Sequence, residues 1–203
     1  MLFRSLDVHR ATASEVFGVP VPDVSPEQRR YAKVINFGLI YGMSAFGLAS
    51  NLGIERDAAK NYIDRYFARY PRVKAYMDGT RETARAQGWV ETVFGRRLWL
   101  AEINGPSGPR RQQAERAAIN APMQGTAADL IKLAMIRVQA WLDDARLATR
   151  LVMQVHDELV LEVPETELAA VRERLPGLMT GVAELAVPLE VEVGAGPNWE
   201  RAH

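Results

Sequence analysis

From Asp7 to Gly88 the apolar residues keep helical spacing, and prolines and glycines cut that run into a series of short helices. The first piece, Asp7 to Phe17, stops at Gly18 ahead of the Val-Pro-Val-Pro of residues 19–22. Ser25-Pro26-Glu27-Gln28 then supplies an N-cap, a proline at the first helical position and an acid and an amide in the first turn. A helix is therefore expected over about residues 26–41, followed by a short one over Ser44 to Leu52. Glu55 to Tyr70 is strongly helical, with Ala58, Tyr62, Tyr66 and Tyr70 on one side, and Pro71 opens another helix that ends near Gly88. At Trp89 the period changes. Trp89 to Phe94 and Leu98 to Leu100 flank Gly95-Arg96-Arg97 as a hairpin would, with a basic loop side.

The second half mixes both periods. Ile103 to Arg111 reads as an irregular loop, and Gln112 to Leu142 as a helix broken near Ala121-Pro122. Leu151 to Val155 and Leu159 to Val163 are apolar strands around a tight acidic corner, so an acidic hairpin is expected over about residues 151–163. Glu165 to Leu185 is expected to be a helix interrupted at Pro176-Gly177, and Leu189 to Val193 alternates as a final strand. The expected class is α+β, mostly helical, with a helical part over residues 1–116 and a smaller mixed part over 117–203.

Composition narrows the chemistry. With no cysteine, disulfides, thiolate zinc sites and cysteine nucleophiles are excluded, and any metal must be held by oxygen or histidine. No secretory signal opens the chain, and no apolar run approaches the roughly 20 residues that cross a membrane, so a soluble cytoplasmic protein without membrane partners is expected. Net charge is zero, but residues 1–116 carry 18 Lys and Arg against 12 Asp and Glu, and residues 117–203 carry 7 against 13. One half suits phosphates and the other cations, although ordinary uneven surface charge gives the same tally.

A step of four residues turns a helix face by only about 40°, so Arg29, Lys33, Phe37 and Tyr41 lie on one slowly turning stripe, cationic and then aromatic. Ala32, Ile35, Leu39 and Met43 fall on the opposite side as an apolar back. Arg and Lys can hold phosphate oxygens, and a ring two turns away can lie against a base or sugar. Spacing alone favours a solvated basic helix end whose aromatics are core. The acidic corner is similarly two-sided: Asp157 and Glu158 at a hairpin tip are hard oxygen donors suited to Mg2+, and are also ordinary polar turn residues. Arg116, Asn120 and Gln124, four apart, put donors on one helix face, although Asn120 and Gln124 can equally cap the helix beside Pro122.

The fuller segments add a resemblance. Arg29-Arg30-Tyr31-Ala32-Lys33-Val34-Ile35-Asn36-Phe37-Gly38-Leu39-Ile40-Tyr41-Gly42 resembles motif B of the family A DNA polymerases, nearly residue for residue. Gln154-Val155-His156-Asp157-Glu158-Leu159-Val160 resembles their motif C, and Arg116 to Ala127 resembles a further family stretch. The resemblance implies a helical fingers subdomain and an incomplete palm with a small antiparallel sheet. It implies that Arg29 and Lys33 hold the β and γ phosphates of a deoxynucleoside triphosphate, that His9 reaches the same phosphates, that Phe37 packs on sugar and base, and that Tyr41 sits where the templating base enters. Asp157 would be a metal ligand supported by Glu158 in a two-ion Mg2+ site, with Lys33 completing the catalytic set. Arg116, Asn120, Gln124, Gln154 and His156 would contact primer-template DNA.

The resemblance runs from about residue 7 to the last residues, and it lacks a part. The Asp-Tyr-Ser-Gln-Ile-Glu-Leu-Arg strand of motif A, whose aspartate holds both ions, does not occur in the sequence, nor do the thumb and exonuclease domain. The expected function is DNA-directed DNA polymerase in replication or repair, partnered by the N-terminal part of such an enzyme. The alternative is a remnant that binds nucleotide or DNA without catalysis.

Overall fold

The structure, a computed structural model, describes residues 7–202. It is 62% helical with two small antiparallel sheets, the α+β, mostly helical class expected from the sequence. Two compact units divide it: residues 7–90 with 97–122, and residues 91–96 with 123–202. Among the described residues no helix is long and apolar enough to cross a membrane.

In the first unit Asp7 caps α1 (Val8–Phe17), its Oδ1 accepting from the N–H groups of His9 and Arg10 at 3.0 and 3.1 Å, and Gly18 ends it in the left-handed conformation. Ser25 and Gln28 close a reciprocal capping box on α2 (Pro26–Ile40), with Pro26 at the helix start. Tyr41 falls one residue beyond the helix, as its C-cap. The expected apolar back is present: Ala32, Ile35 and Leu39 are buried, Ala32 with Ala13 and Val24, the other two with Leu48 of α3 (Ala45–Leu52) and Ala59 and Tyr66 of α4 (Arg56–Arg69). Each such buried Ile or Leu contributes about 1.5–3 kcal/mol, more than the exposed stripe can. Packing therefore fixes α2 and leaves its charged face available. On α4 the buried alanine is Ala59, and Ala58 is exposed. Burial pushes the Tyr66 phenol up to about 12.

Pro71 opens α5 (Pro71–Gln87), followed by β1 (Trp89–Glu91) and β2 (Arg97–Trp99). Ala84, Val90, Leu100 and Ile103 form a third cluster with Ala114 and Ala118 of α6 (Gly108–Asp144). The Tyr76 hydroxyl donates to the Ile119 carbonyl at 3.0 Å. Helix α6 starts inside the expected loop and carries Pro122 in its interior where a break was expected. A proline removes one ladder bond, and the burial of Ala118 and Ile119 in the turn before it outweighs that loss.

In the second unit β3 (Arg150–Val155) pairs antiparallel with β4 (Glu158–Glu162), and a bulge lies between Leu151 and Met153. Leu151, Leu159 and Leu161 pack on a cluster of Val138, Leu142, Val171, Leu175 and Leu178. Leu175 and Leu178 belong to α7 (Leu168–Thr180), which runs through Pro176 instead of breaking there, because both neighbours are anchored in the core. The expected strand over residues 189–193 is not formed: residues 183–198 hold neither helix nor strand, and α8 (Trp199–Ala202) follows. Its alternation is real, since Val191 and Val193 are half-buried between exposed neighbours. Alternation without a ladder partner among the described residues makes an extended segment, not a strand.

The entry to β3 is clamped by Glu167, which accepts from the N–H groups of Ala148 and Thr149 at 2.9 Å each and from the Thr149 hydroxyl at 2.6 Å. The Thr149 hydroxyl and then these amides hold the Glu167 carboxyl below its ordinary 4.5. A group whose folded pKa is lowered contributes stability above its unfolded pKa and loses it as pH falls. Glu167→Gln is therefore expected to lower stability at neutral pH and to flatten the loss below about pH 4.5, as read by urea denaturation across that range.

Residues 91–96, the hairpin tip, sit on the part of α6 after Pro122. Arg96 Nε donates to Asp129 at 2.7 Å, an Arg96 terminal nitrogen donates to the Gly125 carbonyl at 3.0 Å, and the Val93 N–H donates to Thr126 at 3.2 Å. A Cβ on Gly125 would stand 2.7 Å from the Thr92 methyl group. Gly125→Ala is expected to cost about 1–3 kcal/mol in a urea melt, because the tip has to lift from the helix.

Candidate active site

The α2 stripe is brought together with the start of α1. Arg29 Nε donates to Asp7 Oδ2 at 2.6 Å, the Lys33 ammonium lies 5.9 Å from the Phe37 ring centroid, and the His9 ring centroid lies 5.7 Å from that of Phe37. Phe37 and Tyr41 are stacked with centroids 6.0 Å apart, and both are exposed. The result is one continuous face running cation, imidazole, ring, ring. Arg29 held through Nε keeps its two terminal nitrogens for a bidentate contact. Its guanidinium lowers the Asp7 carboxyl pKa, so the pair stays ionised. Burial, then the Arg29 and Lys33 charges, hold the His9 imidazole pKa below its ordinary value against the pull of Asp7.

Gly42 carries this face towards α6. It follows Tyr41 with φ +80°, a conformation that suits glycine, and a Cβ there would meet Arg116 Cγ at 3.3 Å and Ile119 Cδ1 at 3.7 Å. Arg116 thus packs beside the end of α2 in the same unit. Asn120 is half-buried, with an Oδ1 that finds no hydrogen-bond partner among the described residues, and Gln124 is exposed.

In the second unit His156 and Asp157 form the tip between β3 and β4, where Val155 faces Glu158. His156 has φ +53°, and Gln154 donates to its carbonyl at 2.7 Å, fixing the turn from within. The Gln154 amide nitrogen is engaged by this turn. Asp157 is exposed, and Glu158 accepts from the Trp199 indole N–H at 3.4 Å. Two carboxylates on a fixed tip fit a hard divalent ion in donor type. Two such groups would make only part of a coordination shell, and among the described residues no group of three or more His, Asp and Glu side chains gathers.

The family model for DNA polymerase family A matches residues 2–201. This chain belongs to DNA polymerase family A. It is similar to DNA polymerase I of Pseudomonas aeruginosa, 63% identical over 98% of this chain and 22% of that protein. It is also similar to the thermostable DNA polymerase I of Thermus aquaticus, 48% identical over 95% of this chain and 23% of that one. A solved structure, the polymerase domain of Pol1 from M. smegmatis in complex with DNA primer-template and dNTP, aligns with TM-score 0.90 and 44% identity over 96% of this chain and 34% of that one. The chain spans about a fifth of the length of the curated relatives it matches.

Several residues of this candidate site escape a reading of sequence alone. Asn36 occupies the apolar back of α2 between Ile35 and Leu39, and a polar residue among buried positions is the signal that would have found it. Asp7 serves both the α1 cap and Arg29. Trp199 reaches Glu158 across a long stretch of sequence with no local signature. Arg96, expected on a basic loop, is instead engaged by Asp129, and Arg97 lies 4.0 Å over the Trp89 ring.

Proposed function

We propose that this chain carries the nucleotide-gripping helix and part of the metal-binding palm of a DNA-directed DNA polymerase acting in replication or repair in the bacterial cytoplasm. The observation that carries the proposal is the convergence of His9, Arg29, Lys33, Phe37 and Tyr41 on one exposed face of α1 and α2. Arg29 and Lys33 take the β and γ phosphates of a deoxynucleoside triphosphate, His9 donates to the same phosphates, Phe37 packs on sugar and base, and Tyr41 borders the place of the templating base. The solved relative is a complex with DNA primer-template and dNTP, which supports both partners.

The reaction is attack of the primer 3′ oxygen on the α phosphorus, with the bond to the β-phosphate bridging oxygen breaking and pyrophosphate leaving. Asp157, supported by Glu158, would hold Mg2+, which when bound stabilises charge on the attacking and leaving oxygens. Lys33 and Arg29 meet charge that builds on the leaving pyrophosphate. Arg116, Asn120 and Gln124 lie against the duplex, where the minor groove presents acceptors at nearly the same place on every correct pair. Gln154 and His156 flank the primer end. A carboxylate like that of motif A does not occur among these 203 residues and would have to be supplied by other polypeptide.

The test is Mg2+-dependent extension of a primed DNA template by the chain, alone and mixed with the remainder of a family A polymerase, alongside dATP binding. Extension that requires Asp157 supports the proposal. A chain that neither binds dATP nor extends a primer in either setting overturns it, and binding without extension in both reduces it to a nucleotide-gripping module.

A further inference from the structure

Asn36 is 2% exposed on the back of α2, and Thr12, 3% exposed on α1, donates its hydroxyl to Asn36 Oδ1 at 3.0 Å. The amide nitrogen of Asn36 lies 2.9 Å from His9 Nδ1. A carboxamide is an acceptor on one side and a donor on the other, so a hydroxyl that claims the oxygen turns the donor towards the imidazole. A donor facing Nδ1 needs a lone pair there, and the ring proton then resides on Nε2.

We propose that Asn36 is a positioning residue: held by Thr12, it fixes His9 as the Nε2–H tautomer, so that the ring beside Phe37 offers a neutral donor to the phosphate oxygens of a deoxynucleoside triphosphate. This rests on the nucleotide-binding role of His9 given above. The hold has a purpose. An unconstrained imidazole divides between two tautomers, and the one with a lone pair on Nε2 repels a phosphate oxygen. Protonation would give a donor on both nitrogens, but the charged groups facing the ring are Asp7 from the α1 cap and Arg29 and Lys33 from α2, and burial with the two cations keeps the ring neutral. Neutral donation therefore depends on the Thr12–Asn36 pair.

The test uses the chain labelled with 15N-histidine; it has only three histidines, so His9→Gln assigns the His9 ring signals. Nitrogen shifts are expected to show a neutral Nε2–H ring at neutral pH and dATP binding, without primer, that is nearly flat from about pH 7 to 8. Asn36→Asp puts an acceptor against Nδ1, which moves a proton there and raises the ring's pKa. Affinity for dATP should fall about tenfold at pH 8 and recover as pH drops and the ring becomes an imidazolium. Thr12→Val should give mixed tautomers and about a threefold loss, and Thr12→Ser should restore both signals and affinity, with thermal melts showing that each variant is folded.

An Nδ1–H ring in the unmodified chain, or an Asn36→Asp variant with unchanged nitrogen shifts and pH profile, overturns the proposal. If the shifts respond as expected while His9→Gln binds dATP as tightly as the parent chain, Asn36 does hold the ring and the nucleotide role of His9 is what fails.

Discussion

Asp157→Ala is expected to reduce Mg2+-dependent primer extension by about 10³-fold, in whichever setting the parent chain extends a primer, while dATP binding stays within about twofold. The size follows from the charge the residue meets. Phosphoryl transfer places developing negative charge on the attacking and leaving oxygens, a cation held by Asp157 would meet that charge beside the α2 cations, and removing one preorganised electrostatic group of this kind costs about 10²–10³ in rate. The specificity follows from position. Asp157 is an exposed residue of a two-residue turn whose shape is set by His156 at φ +53° and by the Gln154 amide, so its side chain can be removed without unfolding the hairpin. Asp157→Asn keeps the shape and loses the charge, and should fall as far as the alanine. In the proposed function nucleotide binding rests on α2, which carries its own cations, and so is a separate reading. Extension that survives Asp157→Ala would remove this hairpin from the chemistry.

What the sequence reveals depends on how local the physical cause is. The apolar back of α2 was legible because helix period alone sorts Ala32, Ile35 and Leu39 to one side, and the structure buries all three. The hairpin around His156-Asp157 was legible because two apolar runs this close have one short way to pair. The unbroken passage of α6 through Pro122 and α7 through Pro176 was not, because the local penalty of proline is visible and the tertiary packing that overrides it is not. The lost strand over residues 189–193 fails for the complementary reason: its alternation is local, but a strand exists only with a partner that sequence does not name. Arg96 shows the same limit in charge, since its engagement by Asp129 spans 33 positions. At the candidate site the exposed stripe could be read from spacing and resemblance. The supports beneath it, Asp7 on Arg29 and Thr12 through Asn36 on His9, join α1 to α2 and become visible only when the two helices are side by side.

In the proposed function those supports bear on how tightly a triphosphate is held. Arg29→Ala and Lys33→Ala are each expected to weaken dATP binding by about 10- to 100-fold, since a charge-assisted hydrogen bond to phosphate is worth about 1.5–3 kcal/mol. The two cations share one polyanion, so the double variant should lose less than the product of the single losses. Neither change should lower the melting temperature by more than a small amount: Lys33 is exposed, the Arg29 side chain is 42% exposed, and the Asp7 carboxylate left behind is 34% exposed and can turn to water. Arg29→Lys separates charge from geometry. An ammonium keeps the charge but has neither the Nε contact with Asp7 nor the planar fork, so affinity should fall part of the way to that of alanine. Asp7→Asn gives the opposite dissection, because it removes the anion that competes with phosphate for Arg29 while weakening the anchor that aims it. A loss of dATP affinity there shows that aim outweighs competition, and a gain shows the reverse. Isothermal titration with dATP at two salt concentrations reads all of these, with the parent chain losing affinity more steeply as salt rises than the Lys33→Ala variant. Affinity that stays within about twofold in both single alanine variants would show that the stripe is a solvated helix face and not a grip.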